Sequence, residues 1–369
     1  PEGYKKVGSD IFPVDWNKVA FSDIGIIASG LVDPQIPPYL HMQHIGPDNI
    51  EKNTGRILET QSATELGLIS GKFYFDTESI VYSKIRPNLN KVCAPPFEGI
   101  CSADCYSIKP TKKADKAFLL NLMLGYSFYK RAVACSMRTG MPKINQDDLN
   151  MIPMCCPTSI CEQQKIAEIL TTQDKVIELK EKLLAEKQRQ KKYLMQQLLT
   201  GKKRLPGFNG QWKQEKLGNV FAERSETKCE NLELLAITGS QGVVPRSQLD
   251  LKDNSSEDKS KYLRICVGDI GYNTMRMWQG VSAYSNYEGI VSPAYTILKP
   301  KGNINAKYFA YLFKMPEAVF LFYRYSQGLV DDTRNLKYEN FKKSSVVFPA
   351  NVEEQKAIVA VLEKSDEEL

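Results

Sequence analysis

The chain has 369 residues with 42% hydrophobic and 25% charged side chains, which is enough for two or three domains and excludes a predominantly disordered protein. No run approaches the length of a membrane span, and the first residues lack the apolar stretch of a signal peptide. The net charge of +6 permits nucleic-acid binding without demanding it. The absence of an initiator Met is typical of a chain that is clipped or incomplete at that end.

The nine cysteines favour a reduced, cytoplasmic environment, because an odd count in a chain of this length argues against a secreted disulfide scaffold. No two cysteines have the two-residue spacing of a zinc knuckle, and the two histidines, His41 and His44, lie in a Pro- and Gly-rich stretch. We therefore expect neither a metal site nor a cofactor.

The first block of the chain is predicted to be a globular domain spanning 1–157. Residues 71–92 alternate apolar and polar side chains around Gly and Asp turn signals, which predicts strands. Residues 116–134 place apolar side chains at helical spacing and predict a short helix. A loop that holds Gly140 and a strand end marked by Pro157 follow.

One long amphipathic helix is predicted next, within a spacer spanning 158–204, because residues 160–200 contain neither Gly nor Pro. At a rise of ~1.5 Å per residue, its ~41 residues extend over ~60 Å. Its apolar positions recur at steps of three, four or seven and need a partner along the helix. The helix is expected to end at Gly201, and the basic residues 202–204 suit either helix capping or a phosphate contact.

The globular block then recurs over 205–352, with strands predicted over 262–285 and a short helix over 306–325. The matched anchors are Trp16 with Trp212, Glu98-Gly99-Ile100 with Glu288-Gly289-Ile290, and Pro157 and Glu162-Gln163 with Pro349 and Glu354-Gln355. Three matches in the same order indicate an internal duplication. The second helix begins at about Glu353, and residues 353–369 end early in it, so we expect it to be truncated, naturally or by trimming.

The motifs at the helix boundaries carry a family resemblance that covers nearly the whole chain. The helix openings read Pro157 followed by Glu162-Gln163-Gln164-Lys165-Ile166, and Pro349 followed by Glu354-Gln355-Lys356, while the first helix exits as Leu198-Leu199-Thr200-Gly201. This combination resembles the conserved regions of type I restriction–modification specificity subunits. The resemblance implies an α+β fold of two tandem strand-rich target recognition domains, separated by long α-helices that pair as an antiparallel coiled coil.

The resemblance also implies a function in DNA recognition without catalysis by the chain itself. Each recognition domain would read one half of a bipartite, asymmetric target in double-stranded DNA, and the helices would set the gap. Two methyltransferase subunits would dock on this framework, and restriction–translocation subunits would join through the assembled complex.

Candidate DNA contacts are side chains that can read bases or hold phosphates from exposed turns. They are Tyr82, Lys84, Arg86, Asn88, Arg138 and Lys143 in the first copy, and Asn273, Arg276, Trp278, Gln279 and Arg334 in the second. A solvated strand edge or a plain turn is the alternative for these positions. Residues 323–325, Tyr-Arg-Tyr, are interpreted as the packing of a helix end in preference to a phosphate contact.

Candidate docking residues for the methyltransferase subunits lie on the predicted long helices. They are Glu162, Gln163, Ile166, Leu170, Ile177, Leu184, Leu194, Leu198, Glu354 and Gln355. For Glu162, Gln163 and Gln355, capping of the helix N-terminus is an equally open interpretation.

Motifs for an enzyme are incomplete. Residues 94–97, Ala-Pro-Pro-Phe, resemble the catalytic motif of amino methyltransferases, but Ala94 cannot accept a hydrogen bond from the target amino group. A Gly-rich cofactor loop and a Walker loop are missing, and the acidic pair Asp48 and Glu51 is too closely spaced for a nuclease motif. The remaining alternative is a coiled-coil assembly scaffold without base-specific DNA reading.

Overall fold

Internal contacts divide the chain into two units, unit 1 (Pro1–Leu179) and unit 2 (Lys180–Leu369). The computed structural model describes residues 3–7, 10–136, 142–239, 241–249, 256 and 258–369. In these ranges, no helix is both long and apolar enough to cross a membrane. The same ranges contain no cluster of His, Cys, Asp and Glu side chains that could hold a metal ion.

Unit 1 is built mainly from short strands. They are β1 (Tyr4–Val7), β2 (Asp10–Pro13), β3 (Asn17–Ala20), β4 (Gly25–Ile27), β5 (Gln43–Ile45), β6 (Gln61–Ser62), β7 (Phe73–Phe75), β8 (Ile80–Ser83), β9 (Val92–Cys93), β10 (Gly99–Cys101), β11 (Cys105–Pro110) and β12 (Pro153–Cys156). The helices are α1 (Phe21–Ile24), α2 (Lys116–Leu124), α3 (Tyr126–Ser136), α4 (Gln146–Asn150) and the long α5 (Ile160–Leu198), which continues into unit 2. The sheets have the strand orders β6-β5-β10-β7 and β4-β11-β8-β9, beside the pairs β1-β2 and β12-β3.

Unit 2 repeats this plan. Its strands are β13 (Trp212–Lys216), β14 (Phe221–Arg224), β15 (Leu235–Thr238), β16 (Gly242–Pro245), β17 (Leu263–Ile265), β18 (Ile270–Asn273), β19 (Ser282–Tyr284), β20 (Gly289–Val291), β21 (Tyr295–Pro300) and β22 (Ser345–Pro349). Its helices are α6 (Leu217–Val220), α7 (Ala306–Leu312), α8 (Pro316–Tyr325), α9 (Tyr338–Phe341) and α10 (Val352–Glu367). The sheet β14-β21-β18-β19 has the same order of equivalent strands as β4-β11-β8-β9, and the pair β13-β22 repeats β12-β3.

The repeated glycine of the Glu-Gly-Ile anchor has a packing reason in both units. A Cβ added to Gly99 would lie 2.5 Å from the carbonyl oxygen of Gln43, and one added to Gly289 would lie 2.4 Å from that of Glu233. In both cases the neighbouring segment of the same unit runs parallel to the strand that contains the glycine. Only glycine permits this close approach of two backbones, so the anchor marks the same structural joint twice.

Each short helix predicted after the strand block is in fact two helices. In unit 1 the extended backbone of Gly125 separates α2 from α3, and in unit 2 Pro316 starts α8 after the end of α7. Proline at the first turn of a helix costs no hydrogen bond, which makes it a natural restart. The predictions over 116–134 and 306–325 therefore located helical segments but missed the break within each.

The predicted long helix is confirmed as α5, and its ends differ from its middle. Ala167 packs into the main core of unit 1, whereas Leu198 packs into that of unit 2. Within unit 2, α10 runs antiparallel to the end of α5: Lys187 pairs with Glu368 at 2.5 Å, and Lys191 pairs with Asp366. Between the two ends, apolar side chains of α5 face solvent.

Candidate nucleic-acid interface

Two loops distant in sequence meet at one edge of unit 1. The segment after β8 bonds to the segment before α4 through an antiparallel bridge between Ile85 and Lys143. The Arg86 N–H donates to the Pro142 carbonyl at 2.8 Å, and the Ile144 N–H donates to the Lys84 carbonyl at 2.9 Å. Lys84, Arg86 and Lys143, which were predicted separately as DNA contacts, therefore belong to one paired loop structure.

The electrostatics of this edge suit an anion. Burial, followed by the charge of Lys143, lowers the pKa of Lys84, and Asp104 opposes this shift. The Lys84 ammonium also lies 5.3 Å from the centre of the Tyr106 ring. Two neighbouring ammonium groups that repel each other would both be stabilised by a phosphate between them.

Arg86 and Asn88 are exposed on the same loop. The backbone of Arg86 has φ of 48° and ψ of 57°, in the left-handed region that non-glycine residues rarely adopt. This conformation is held by the hydrogen bond to Pro142 and by one from the Leu89 N–H to the Arg86 carbonyl at 2.9 Å. Strained residues of this kind are concentrated at binding sites, where their strain fixes a side chain in position.

Tyr82 does not belong to this surface, and its prediction as a DNA contact is corrected. Its side chain is 1% exposed and packs edge-on against Phe128 with ring centres 5.6 Å apart. Burial raises the pKa of its hydroxyl. All of β8 is buried, so the strand does not present one face to solvent as its alternating pattern suggested. Arg138, also predicted as a contact, lies outside the described residues.

Unit 2 repeats the pairing of two distant loops. The loop after β18, residues 274–281, meets the loop after α8 where the Leu336 N–H donates to the Thr274 carbonyl at 2.8 Å. Arg276 and Gln279 are exposed on the first of these loops. Asn273 is half-buried, and its Oδ1 accepts from the Met275 N–H at 2.9 Å, so part of its side chain is used in the turn.

Trp278 and Arg334 are brought together by Tyr323. The Arg334 guanidinium lies 3.9 Å from the centre of the Tyr323 ring, and Trp278 packs edge-on against that ring. Arg334 donates to Asp331 Oδ1 at 2.8 Å and to the Tyr323 hydroxyl at 2.7 Å, while the Trp278 indole donates to the Met275 carbonyl at 2.9 Å. These bonds use the Trp278 indole N–H and the Nε and Nη2 atoms of Arg334, so Trp278 and Arg334 organise the loops.

Sequence reasoning missed the organising role of Tyr323, because its partners lie 45 residues before it and 11 residues after it in the chain. The aromatic and basic composition of residues 323–325 was the available signal. It could not show which side of the helix meets the loop after β18.

Gln163, predicted to dock a partner, is fully buried and clamps the start of α5 to its own unit. Its Oε1 accepts from the Asp115 N–H at 2.8 Å. Its Nε2 donates to the carbonyls of Lys113 at 3.0 Å and Pro157 at 2.9 Å. Asp115 is itself the N-cap of α2, so one amide side chain joins two helix starts and a strand end.

Gln355 makes the same clamp in unit 2. It is 1% exposed, accepts from the Asn305 N–H at 2.8 Å and donates to the Pro349 carbonyl at 2.9 Å. Asn305 is the N-cap of α7, as Asp115 is of α2. The prediction that these glutamines dock a partner is therefore wrong: their polar groups are buried and bonded within their own units.

Glu354 is also corrected, because its carboxylate is buried against groups of unit 2. Arg204 donates to both of its oxygens, at 2.6 and 2.7 Å, and the Trp212 indole donates at 3.4 Å. Glu162, its equivalent in unit 1, is half-buried and accepts from the Trp16 indole at 3.2 Å. The first repeated anchor thus pairs a tryptophan with a helix-start glutamate in each copy.

The apolar docking candidates divide into buried ends and an exposed middle. Leu198 is 3% exposed, so its prediction as a docking residue is corrected. Ile166 is partly buried against the core of unit 1, and Leu194 is partly buried against that of unit 2. The exposed members are Leu170, Ile177 and Leu184, joined by Ile169, Val176, Leu179 and Leu183, which we call the α5 stripe. The docking prediction thus remains open for Glu162 and for the exposed members of the predicted set.

Comparison with known proteins places these features in a family context. Residues 13–189 match the family model of the type I restriction modification DNA specificity domain. The chain is 41% identical over 154 residues to the type I restriction enzyme EcoDI specificity subunit of Escherichia coli, an alignment that covers 42% of this chain and 34% of that subunit. The chain therefore spans about a third of the length of this curated relative.

Solved structures share the fold at low sequence identity. The S subunit of a type I restriction–modification system from M. genitalium has a TM-score of 0.61 at 14% identity, covering 96% of this chain and 90% of that one. The HsdS subunit from Thermoanaerobacter tengcongensis has a TM-score of 0.52 at 18% identity, covering 98% and 91%. A chain from a study of type I R-M complex assembly and conformational transition has a TM-score of 0.57 at 18% identity, covering 96% and 91%.

Proposed function

We propose that this chain recognises a split, asymmetric DNA target, because residues 13–189 match the family model of the type I restriction modification DNA specificity domain. The loops of each unit read one half. The observation that carries the proposal is the paired-loop structure, which occurs in both copies and gathers exposed basic and amide side chains from distant segments. The loop residues differ between the copies, so the two half-targets should differ as well.

The side chains of the loops divide between holding and reading DNA. Lys84 and Lys143 are suited to one or two phosphates, because they are close, cationic and only partly neutralised by Asp104. Arg86, Asn88, Arg276 and Gln279 carry forked or amide groups that can pair with base edges in the major groove.

The α5 stripe supplies the docking surface for methyltransferase subunits in this proposal. Several large apolar side chains along one helix are 39–63% exposed, which is unusual without a partner. The chain itself performs recognition and leaves catalysis to those subunits, with restriction–translocation subunits joining the complex in the cytoplasm. The continuous helix fixes the gap between the half-targets.

The α5 stripe also favours a second candidate, an assembly scaffold that does not read DNA. The two functions differ in what salt does to binding, because each phosphate contact releases counterions and adds ~0.9 to the slope of log affinity against log salt.

The test measures binding of the chain and its methyltransferase subunit to mixed-sequence duplex DNA across a salt series. We expect Lys84→Ala with Lys143→Ala to weaken binding and to lower the slope by about 2, because two phosphate contacts are lost. The matched control is Lys18→Ala with Lys112→Ala, which removes the same charge from exposed positions of unit 1 outside the loops. Equal slopes for the two double variants would contradict the proposed phosphate contacts, and no binding even at low salt would favour the scaffold.

A further inference from the structure

The loop after α8 in unit 2 is closed by its own hydrogen bonds. Gln327 and Asn335 exchange two backbone hydrogen bonds of 2.8 Å at its base, and the Thr333 N–H donates to the Val330 carbonyl at 3.0 Å. Gly328 has φ of 138°, and a Cβ there would lie 2.7 Å from the backbone of Thr333. These contacts hold residues 328–334 in a defined shape before any ligand binds.

The tip of this closed loop is apolar and faces solvent. Leu329 is 100% exposed and Val330 is 59% exposed. Met275, on the loop joined to it through Thr274 and Leu336, is 47% exposed. We call these three side chains the apolar tip. Large apolar groups held in water by an ordered loop mark a binding surface, because burying them on a partner is favourable.

Cations on neighbouring segments indicate what kind of partner the apolar tip meets. Arg276 lies next to Met275 in sequence, Arg324 is in the last turn of α8, and Lys337 follows the closed loop; all three are exposed. The DNA major groove presents the same combination in reverse, with thymine methyl groups at its floor and phosphates along its edges. An apolar protein surface would not need these cations, so they favour DNA as the partner.

Resting on the proposed function, we propose that unit 2 reads thymine in its half-target through contact of Leu329 and Val330 with the thymine 5-methyl group. Met275 provides a further apolar contact. Unit 1 presents Arg86 and Asn88 for base contacts on its paired loops, so its half-target is read mainly through polar groups.

The experiment selects bound sequences from a random duplex library prepared either with thymine or with uracil, which differs only by lacking the 5-methyl group. The full chain with its methyltransferase subunit is used. With thymine we expect a split motif. With uracil we expect affinity for the half-target of unit 2 to fall about fourfold for each methyl contact removed. Selection of the half-target of unit 1 should be unchanged.

Two variants assign this effect to the loop. The double variant Leu329→Ser with Val330→Ser should select the half-target of unit 2 equally well from the thymine and uracil libraries. Val267→Ser is the matched control, because Val267 is 61% exposed but lies in the turn before β18, whereas Met275 follows β18 and Leu329 and Val330 follow α8. The control should keep the discrimination between thymine and uracil.

Three results would overturn the inference, and they have different meanings. The same motif and affinity from both libraries would show that no methyl group is read. If the double variant no longer bound the methyltransferase subunit but still discriminated thymine from uracil, the apolar tip would be a protein contact. Failure to enrich any motif would contradict the proposed function itself.

Discussion

Two glutamine side chains explain at the residue scale why a short motif occurs twice. Gln163 and Gln355 each join a helix start to the N-cap of another helix and to a proline carbonyl at a strand end. A buried amide that satisfies several main-chain groups is hard to replace, since any other side chain leaves some of them without a partner. The motif is therefore explained by internal structure.

Replacing the first of these glutamines should destabilise unit 1. We expect Gln163→Leu to cost about 1–3 kcal/mol, because the Asp115 N–H and two carbonyls lose a buried partner. The measurement is the free energy of unfolding from urea denaturation. Gln164→Leu is the control, since Gln164 is exposed on the same turn, and its effect should stay within about 0.5 kcal/mol. Equal losses in the two variants would contradict the clamp.

His44 should make the stability of unit 1 depend on pH. Burial, with the charge of Lys72 as the second cause, lowers the pKa of His44 to about 4 from its ordinary value of 6.5. Between these values the unfolded chain binds more protons than the folded one, so stability falls as pH drops from 6.5 towards 4. We expect the melting temperature of His44→Gln to fall less steeply over this range. His41→Gln, at the exposed histidine, should match the unaltered chain, and parallel curves for all three would refute the assignment.

Helices and repeated anchors were predictable from sequence because they depend on local signals. A stretch without Gly or Pro and with helical apolar spacing gave α5, and Pro157 with Gln163 located its start. The burial of Tyr82 was not predictable in this way, since β8 is covered on both faces by segments far away in the chain. The proximity of Lys84 and Lys143 could not be predicted either, because it depends on a backbone bridge between residues 85 and 143 that forms only in the folded chain.

Charge introduced into the α5 stripe should separate assembly from folding. We expect Ile177→Lys with Leu184→Lys to weaken binding of the methyltransferase subunit by about tenfold or more, because an unpaired ammonium group buried in an apolar contact is costly. The melting temperature should stay unchanged, since both side chains face solvent. Thr172→Lys is the control at an exposed polar position of the same helix. Unchanged co-purification of the double variant would contradict docking on this stripe.

For the molecule as a whole, the duplication gives two units with the same plan and different loops. The sheets β4-β11-β8-β9 and β14-β21-β18-β19 agree in order, and so do the clamps. The paired loops carry different chemistry: cationic side chains predominate in unit 1, whereas unit 2 presents an apolar tip. The proposed recognition of an asymmetric target rests on this difference between loops on a shared scaffold.

Lengthening α5 should change the gap in the target and leave both half-targets unchanged. Seven residues inserted between Thr172 and Leu184 add ~10.5 Å of helix, which corresponds to about three base pairs at ~3.4 Å each. Seven is close to two helical turns and so approximately keeps the apolar side chains on one face. Mapping methylated bases in a host that carries the altered chain measures both features. A changed half-target, or an unchanged gap, would contradict the role of the helix as a spacer.

The repeated clamp also has a consequence for the exchange of one unit for another. The Pro157–Gln163 and Pro349–Gln355 segments share Pro, Glu and Gln at equivalent positions, and each glutamine bonds mainly to main-chain groups of its own unit. A unit exchanged for another with the same junction should therefore regenerate the same amide contacts. Under the proposed function, such an exchange would replace one half-target and leave the other half-target and the fold unchanged.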